Sequence, residues 1–121
     1  MAKWVAGDVL DAALARIAGA DRMVAVTGQP ADYAAAVEGA LASAVLAPGD
    51  FALSDAGAGR QVAIAAKPAV AVTGTGTADH VALLAEATSR LLYVTTCPDQ
   101  ALSAGETVSI GSWTVEIGGP V

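Results

Sequence analysis

The sequence predicts a mainly β domain: an antiparallel β-sandwich or barrel-like fold with one short α-helix on the N-terminal side. Three observations predict it. Apolar and polar residues alternate over short runs such as Phe51–Ser54, Thr107–Ile110 and Trp113–Ile117, the period of a half-buried strand. Turn-forming groups such as Gly28-Gln29-Pro30, Pro48-Gly49-Asp50 and Cys97-Pro98-Asp99 punctuate the chain between the runs, as in sandwiches and barrels. Clear helical spacing occurs early, where Val9, Leu10, Ala13, Leu14 and Ile17 form one stripe.

The predicted helix spans 8–19. Asp8 is placed to cap its first turn, where a carboxylate accepts orphan backbone N–H groups. Arg16 suits the last turn, and Gly19 is the expected terminator in a left-handed conformation. Met23–Thr27 reads as a strand, ended by Gly28-Gln29-Pro30 because proline removes a ladder donor. The stretch 31–47 is ambiguous. Tyr33–Glu38 fits a turn or two of helix, and Leu41–Leu46 fits a strand. Phe51–Ser54 reads as a half-buried strand with Phe51 and Leu53 inward, and Ser54–Gly59 as a loop. Gln61–Lys67 follows as a strand with Val62, Ile64 and Ala66 on one face, and Val70 and Val72 continue it. Thr73–Thr77 reads as a turn. His80–Thr96 admits a helix, but Leu91–Thr96 is rich in strand formers. Two strands joined by a turn at Glu86–Arg90, the second closed by Cys97-Pro98-Asp99, fit better. Thr107–Ile110 and Trp113–Ile117 complete the set. With 121 residues, no linker and no fixed-period repeat, residues 1–121 form one expected domain. Residues 1–7 and 118–121 are its expected arms.

Composition narrows the function classes. Hydrophobic residues make up 55%, but much of that is alanine. Val, Leu, Ile and Phe together are about a quarter of the chain, above the ~20% floor for folding. Aromatics are only 4%, so the core is thin. A single cysteine leaves no intrachain disulfide to supplement it, and contacts with neighbouring chains are the expected supplement. The formal net charge is −6 and the pI about 4.4. That surface repels phosphate backbones, and the six basic residues form no run, so no direct nucleic-acid partner is expected. The mean hydropathy is +0.56, yet no window approaches the ~18 apolar residues of a membrane span. The start has no signal-peptide run. A soluble chain made in the cytoplasm is expected.

The chemistry-bearing residues are few. His80 is the only histidine. Asp79 precedes it, but neighbours on a strand point to opposite faces, so Asp79 is not expected to orient the ring. No nucleophile elbow is present. Cys97 stands alone, and one Cys with one His cannot make a four-ligand zinc site. Gly57-Ala58-Gly59 lacks the third glycine of a dinucleotide fingerprint, which Val62 occupies. Thr73-Gly74-Thr75-Gly76-Thr77 lacks the P-loop lysine. The acidic residues are spread over turns and do not converge as calcium ligands. No catalytic, cofactor or metal residues are therefore assigned, and no enzyme activity is expected. Trp4, Val5, His80 and Trp113 remain as interface candidates, since interfaces favour Trp.

Lys3–Leu14, Gln29-Pro30 with Tyr33, Asp50–Leu53 with Gly59-Arg60, and above all Ala78–Cys97 with His80-Val81-Ala82-Leu83 and Ser89–Cys97 carry a resemblance. The ending Trp113–Ile117 fits as well. The chain resembles a group of small tailed-phage virion structural proteins, some of which decorate or cement capsids. The likeness covers nearly the full length, and its motifs are packing and turn residues without a chemical signature. It implies a strand-turn-strand over His80–Thr96 and a location on the outer capsid surface of the virion. Its implied partners are the major capsid protein and the chain itself, as a homo-oligomer, with no membrane. A tail or neck adaptor is the second reading. A small carbohydrate-binding module is a third, disfavoured by the scarcity of aromatic rings.

Overall fold

The chain runs through helix α1 (Gly7–Ile17), strand β1 (Arg22–Val26), helix α2 (Tyr33–Glu38) and strand β2 (Ala42–Val45). Then come β3 (Phe51–Ala56), β4 (Gly59–Ile64), β5 (Lys67–Ala71), β6 (Gly76–Ala85), β7 (Arg90–Leu102), β8 (Thr107–Ile110) and β9 (Trp113–Ile117). These elements belong to a computed structural model that describes residues 5–57 and 59–118. The strands form a four-stranded sheet in the order β2-β1-β6-β7, a three-stranded sheet β3-β4-β9 and a ribbon β5-β8. Every strand pair is antiparallel. A bridge between Ala42 and Val72 ties the ribbon to β2. The molecule is mainly β and sandwich-like.

Two apolar layers lie on either side of the four-stranded sheet. The larger packs Met23, Ala25 and Leu83 against Val62, Ile64 and Val115 of the second sheet, Val70 of the ribbon and Leu14 of α1. The smaller packs Val24, Val26, Ala82 and Leu84 against Ala36 of α2. Strands buried on both faces lose the simple alternation of half-buried ones. That explains the continuous apolar runs in β1 and β6. It also explains why His80–Thr96 admits a helical pattern although it forms a β-hairpin.

The ambiguous stretch contains both proposed elements. Asp32 caps α2 by accepting from the Ala35 N–H at 2.8 Å, and the chain then turns into β2. The single early helix of the sequence reading is therefore one of two. Other differences have local causes. α1 ends at Ile17, not residue 19, and Ala18 closes it in a right-handed conformation. Gly19 is not left-handed. Ala6 precedes the helix without a side-chain cap, and Asp8 sits inside the first turn. Val9 and Ala13 lie off the packed face; Leu10, Leu14, Ile17 and Ala18 turn inward.

The predicted loop Ser54–Gly59 is mostly strand, because β3 and β4 extend as a hairpin as far as the Ala56–Gly59 pair. β3 is the edge strand of its sheet, so Leu53 remains 42% exposed although it sits opposite the buried Val62. β4 stops at Ile64, and Ala66 is exposed beyond it. The predicted turn Thr73–Thr77 is cut short, since β6 begins at Gly76. Cys97-Pro98-Asp99 does not close its strand. β7 continues to Leu102 through an irregularity in its pairing with β6.

Candidate functional site

The irregularity in β7 shapes the surroundings of His80 and Cys97. Ala78 pairs with Gln100, while His80 pairs with Thr96. Residues 97–99 thus bulge opposite Asp79. Proline has no N–H to give a ladder and is tolerated inside a strand at such a bulge, and Pro98 occupies this one.

The bulge overturns the expectation about Asp79. Broken pairing frees it from strict alternation, and its Oδ1 lies 2.7 Å from His80 Nδ1. The same oxygen accepts the Gly28 N–H at 2.7 Å. Gly28 has φ of 74°, a left-handed backbone that glycine adopts readily. The Asp79 carboxyl is held below the usual carboxylate range, first by the hydrogen bond to His80 and then by the Gly28 N–H. Asp79 therefore ties the end of β1 to β6 and fixes the imidazole.

His80 lies in the row of Val26 and Thr96, and Val26 belongs to the smaller layer beneath α2. Cys97 packs against the larger layer. The histidine and the thiol thus lie on different sides of the sheet. Burial pushes the Cys97 thiol up, and the charges of Asp79 and Asp99 push it further the same way. A protonated thiol is a poor nucleophile. Among the described residues no group of three or more His, Cys, Asp and Glu side chains is placed to hold a metal ion. No helix among them is long and apolar enough to cross a membrane.

Trp113 begins β9, opposite Ile64, and stacks on Tyr93 of β7 with ring centroids 6.0 Å apart. Its indole Nε1 is buried without a hydrogen-bond partner among the described residues. Beside this pair, between β7 and the β8–β9 turn, lie two adjoining hollows of about 280 and 380 Å³. Both are lined by Val81, Cys97, Pro98, Ile110 and Gly111, and Trp113 lines the larger. They form one groove with mostly apolar walls.

Of the four interface candidates, Trp113 is half-buried at the groove and His80 is half-buried on the α2 side of the sheet. The structure does not bring these two together. Val5 is half-buried ahead of α1. Trp4 lies outside the described residues, as do 1–3 and 119–121 of the expected arms. The sequence reading missed the groove. Its one signal was Pro98 following an apolar strand, which marks a bulge as readily as an end.

Comparison with protein-family models, with curated proteins and with solved structures finds no match to this chain.

Proposed function

We propose that the chain is a phage capsid decoration, or cement, protein. In this reading it binds the outer face of the head as a homo-oligomer and strengthens contacts between major capsid subunits. The observation that carries the reading is the character of the β6–β7 region. It holds the residues with the strongest resemblance to small virion proteins, Ala78–Cys97. The groove beside it is walled by apolar side chains and an unpartnered indole N–H, which suits protein contact better than bond-making chemistry. The net charge of −6 fits a partner that is neither nucleic acid nor an anionic membrane surface.

A protein that binds only the assembled shell stabilises it by mass action, even when each contact is modest. In this reading the terminal segments ahead of α1 and after β9, expected from the sequence to be arms, reach toward neighbouring subunits. The test is to add purified protein to heads assembled without it. Saturable binding with a rise in the temperature of shell disruption is expected. Absence of binding to intact heads contradicts the reading.

A further inference from the structure

We infer that the outer edge of β7 pairs antiparallel with β7 of a second copy of this chain, with Thr95 opposite Thr95 at a two-fold axis. This gives the proposed homo-oligomer a specific interface. It does not rest on the capsid reading, because it concerns the chain alone in solution.

β7 ends its sheet, with β6 as its one strand neighbour. Among the described residues no backbone hydrogen bond from another element reaches it. Its outward N–H and C=O groups are therefore a template for a further strand. Proteins commonly blunt such edges by keeping them short or charged. The other edge strands of the two sheets, β2, β3 and β9, have 4, 6 and 5 residues. β7 has 13, and Leu91 to Pro98 carry no charge. Leu91, Leu92, Tyr93, Val94 and Thr95 are each only half-buried. The pairing of β7 with β6 is irregular at Leu92 and at 97–99, which centres a new strand on the regular stretch between them.

Charge selects a second copy as the occupant and sets the register. Arg90 and Asp99 are the only charged residues of β7, one toward each end. Both are exposed, and among the described residues neither forms an ion pair. Antiparallel pairing of β7 with itself brings each Arg90 beside the other copy's Asp99, so the complementary contact occurs twice. A parallel pairing in register sets like charges together instead. The midpoint of the two charges falls between Val94 and Thr95. A two-fold axis normal to the sheet places one residue opposite itself, since opposed side chains share a face. Val94 packs against the smaller layer, whereas Thr95 borders the open groove. Thr95 is therefore the self-paired residue, and threonines pair favourably across strands. Val94 then faces Thr96, and Tyr93 faces Cys97.

The test is sedimentation velocity on the full chain over a wide range of concentration. The expected result is a reversible dimer, weakened about tenfold or more by Arg90→Glu alone and by Asp99→Lys alone. Each single variant sets like charges together at both ends of the interface. An equimolar mixture of the two is expected to dimerise again, because every end then meets its opposite. Circular dichroism checks the fold of each variant. Directly opposed residues have Cα atoms about 4.5–5.5 Å apart, within the span of a disulfide. Thr95→Cys in a Cys97→Ser background is therefore expected to give a disulfide-linked dimer on mild oxidation. Ser54→Cys in the same background, on the exposed edge strand β3, is expected to stay uncrosslinked. A chain that stays monomeric throughout overturns the inference. So does association that ignores the charge changes, a mixture that fails to recover, or crosslinking at Thr95→Cys no greater than at Ser54→Cys.

Discussion

Asp79 and His80 are neighbours in sequence and partners in space: a carboxylate oxygen of one lies 2.7 Å from Nδ1 of the other. The contact exists because β7 bulges opposite Asp79. The same carboxylate oxygen holds the Gly28 backbone, so one side chain joins the loop after β1 to the edge hairpin that carries the groove.

This relationship makes stability depend on acid pH. The folded-state pKa of Asp79 is lowered, so the unfolded chain takes up the proton first as pH falls. The stabilisation is complete above the ordinary carboxylate range of ~4 and is lost as pH drops through the lower folded value. Asp79→Asn keeps an acceptor for Gly28 and removes the charge. Urea unfolding across the acid range is expected to show a shallower pH dependence in the variant than in the parent. Identical acid limbs contradict the assignment. Asp50, lowered by Lys67 and the Ala47 N–H, retains its own share in both proteins.

Helix α1 is held to the second sheet chiefly through Leu14, which is fully buried. Leu14→Ala is expected to cost about 2–5 kcal/mol, the usual range for an unfilled core site. Val9, 57% exposed on the same helix, is the internal comparison. Val9→Ala is expected to stay within about 0.5 kcal/mol. Chemical denaturation measures both, and equal effects contradict the packing of α1.

Gly59 is required by close approach. A Cβ there collides with the Ile117 carbonyl oxygen and the Gly118 Cα. Both obstacles are backbone, so no side chain can rotate away. Gly59→Ala is expected to strain the β4–β9 pairing and cost about 1–3 kcal/mol. Amide exchange at Val115 should rise with the loss in melting temperature. An unchanged melting temperature contradicts the contact.

Ala69 has φ of 54°, in the irregular part of β5 between Lys67 and Val70. A left-handed backbone costs an ordinary residue about 1–2 kcal/mol, while glycine in a strand loses about 0.5–1 kcal/mol in entropy. Ala69→Gly is therefore expected to raise the melting temperature slightly. A drop of the size seen for glycine in a regular strand contradicts it.

Much of the fold was legible in the chain. Alternation located β8 and β9, and strand-forming residues over Leu91–Thr96 resolved the hairpin correctly. The ambiguity over 31–47 was real, because the stretch holds α2 and β2 in sequence, joined by Gly39 to Leu41. Errors arose where tertiary structure overrode local signals. Ser54–Gly59 has turn composition, yet hairpin pairing extends through it. Pro98 breaks a regular ladder, yet a bulge absorbs it. The candidate site was less legible. Trp113 stood out by its type alone. Its stacking on Tyr93, the groove beside it and the Asp79–His80 contact depend on which strands lie side by side, and that order is not written in spacing.

The most direct measurement of the central proposal is the copy number of this protein in purified particles, by quantitative mass spectrometry against the major capsid protein. Decoration of the head predicts a copy number comparable to that of the capsid protein. A very low ratio contradicts decoration and moves the protein to the neck or tail, and absence from the particle contradicts the virion reading altogether.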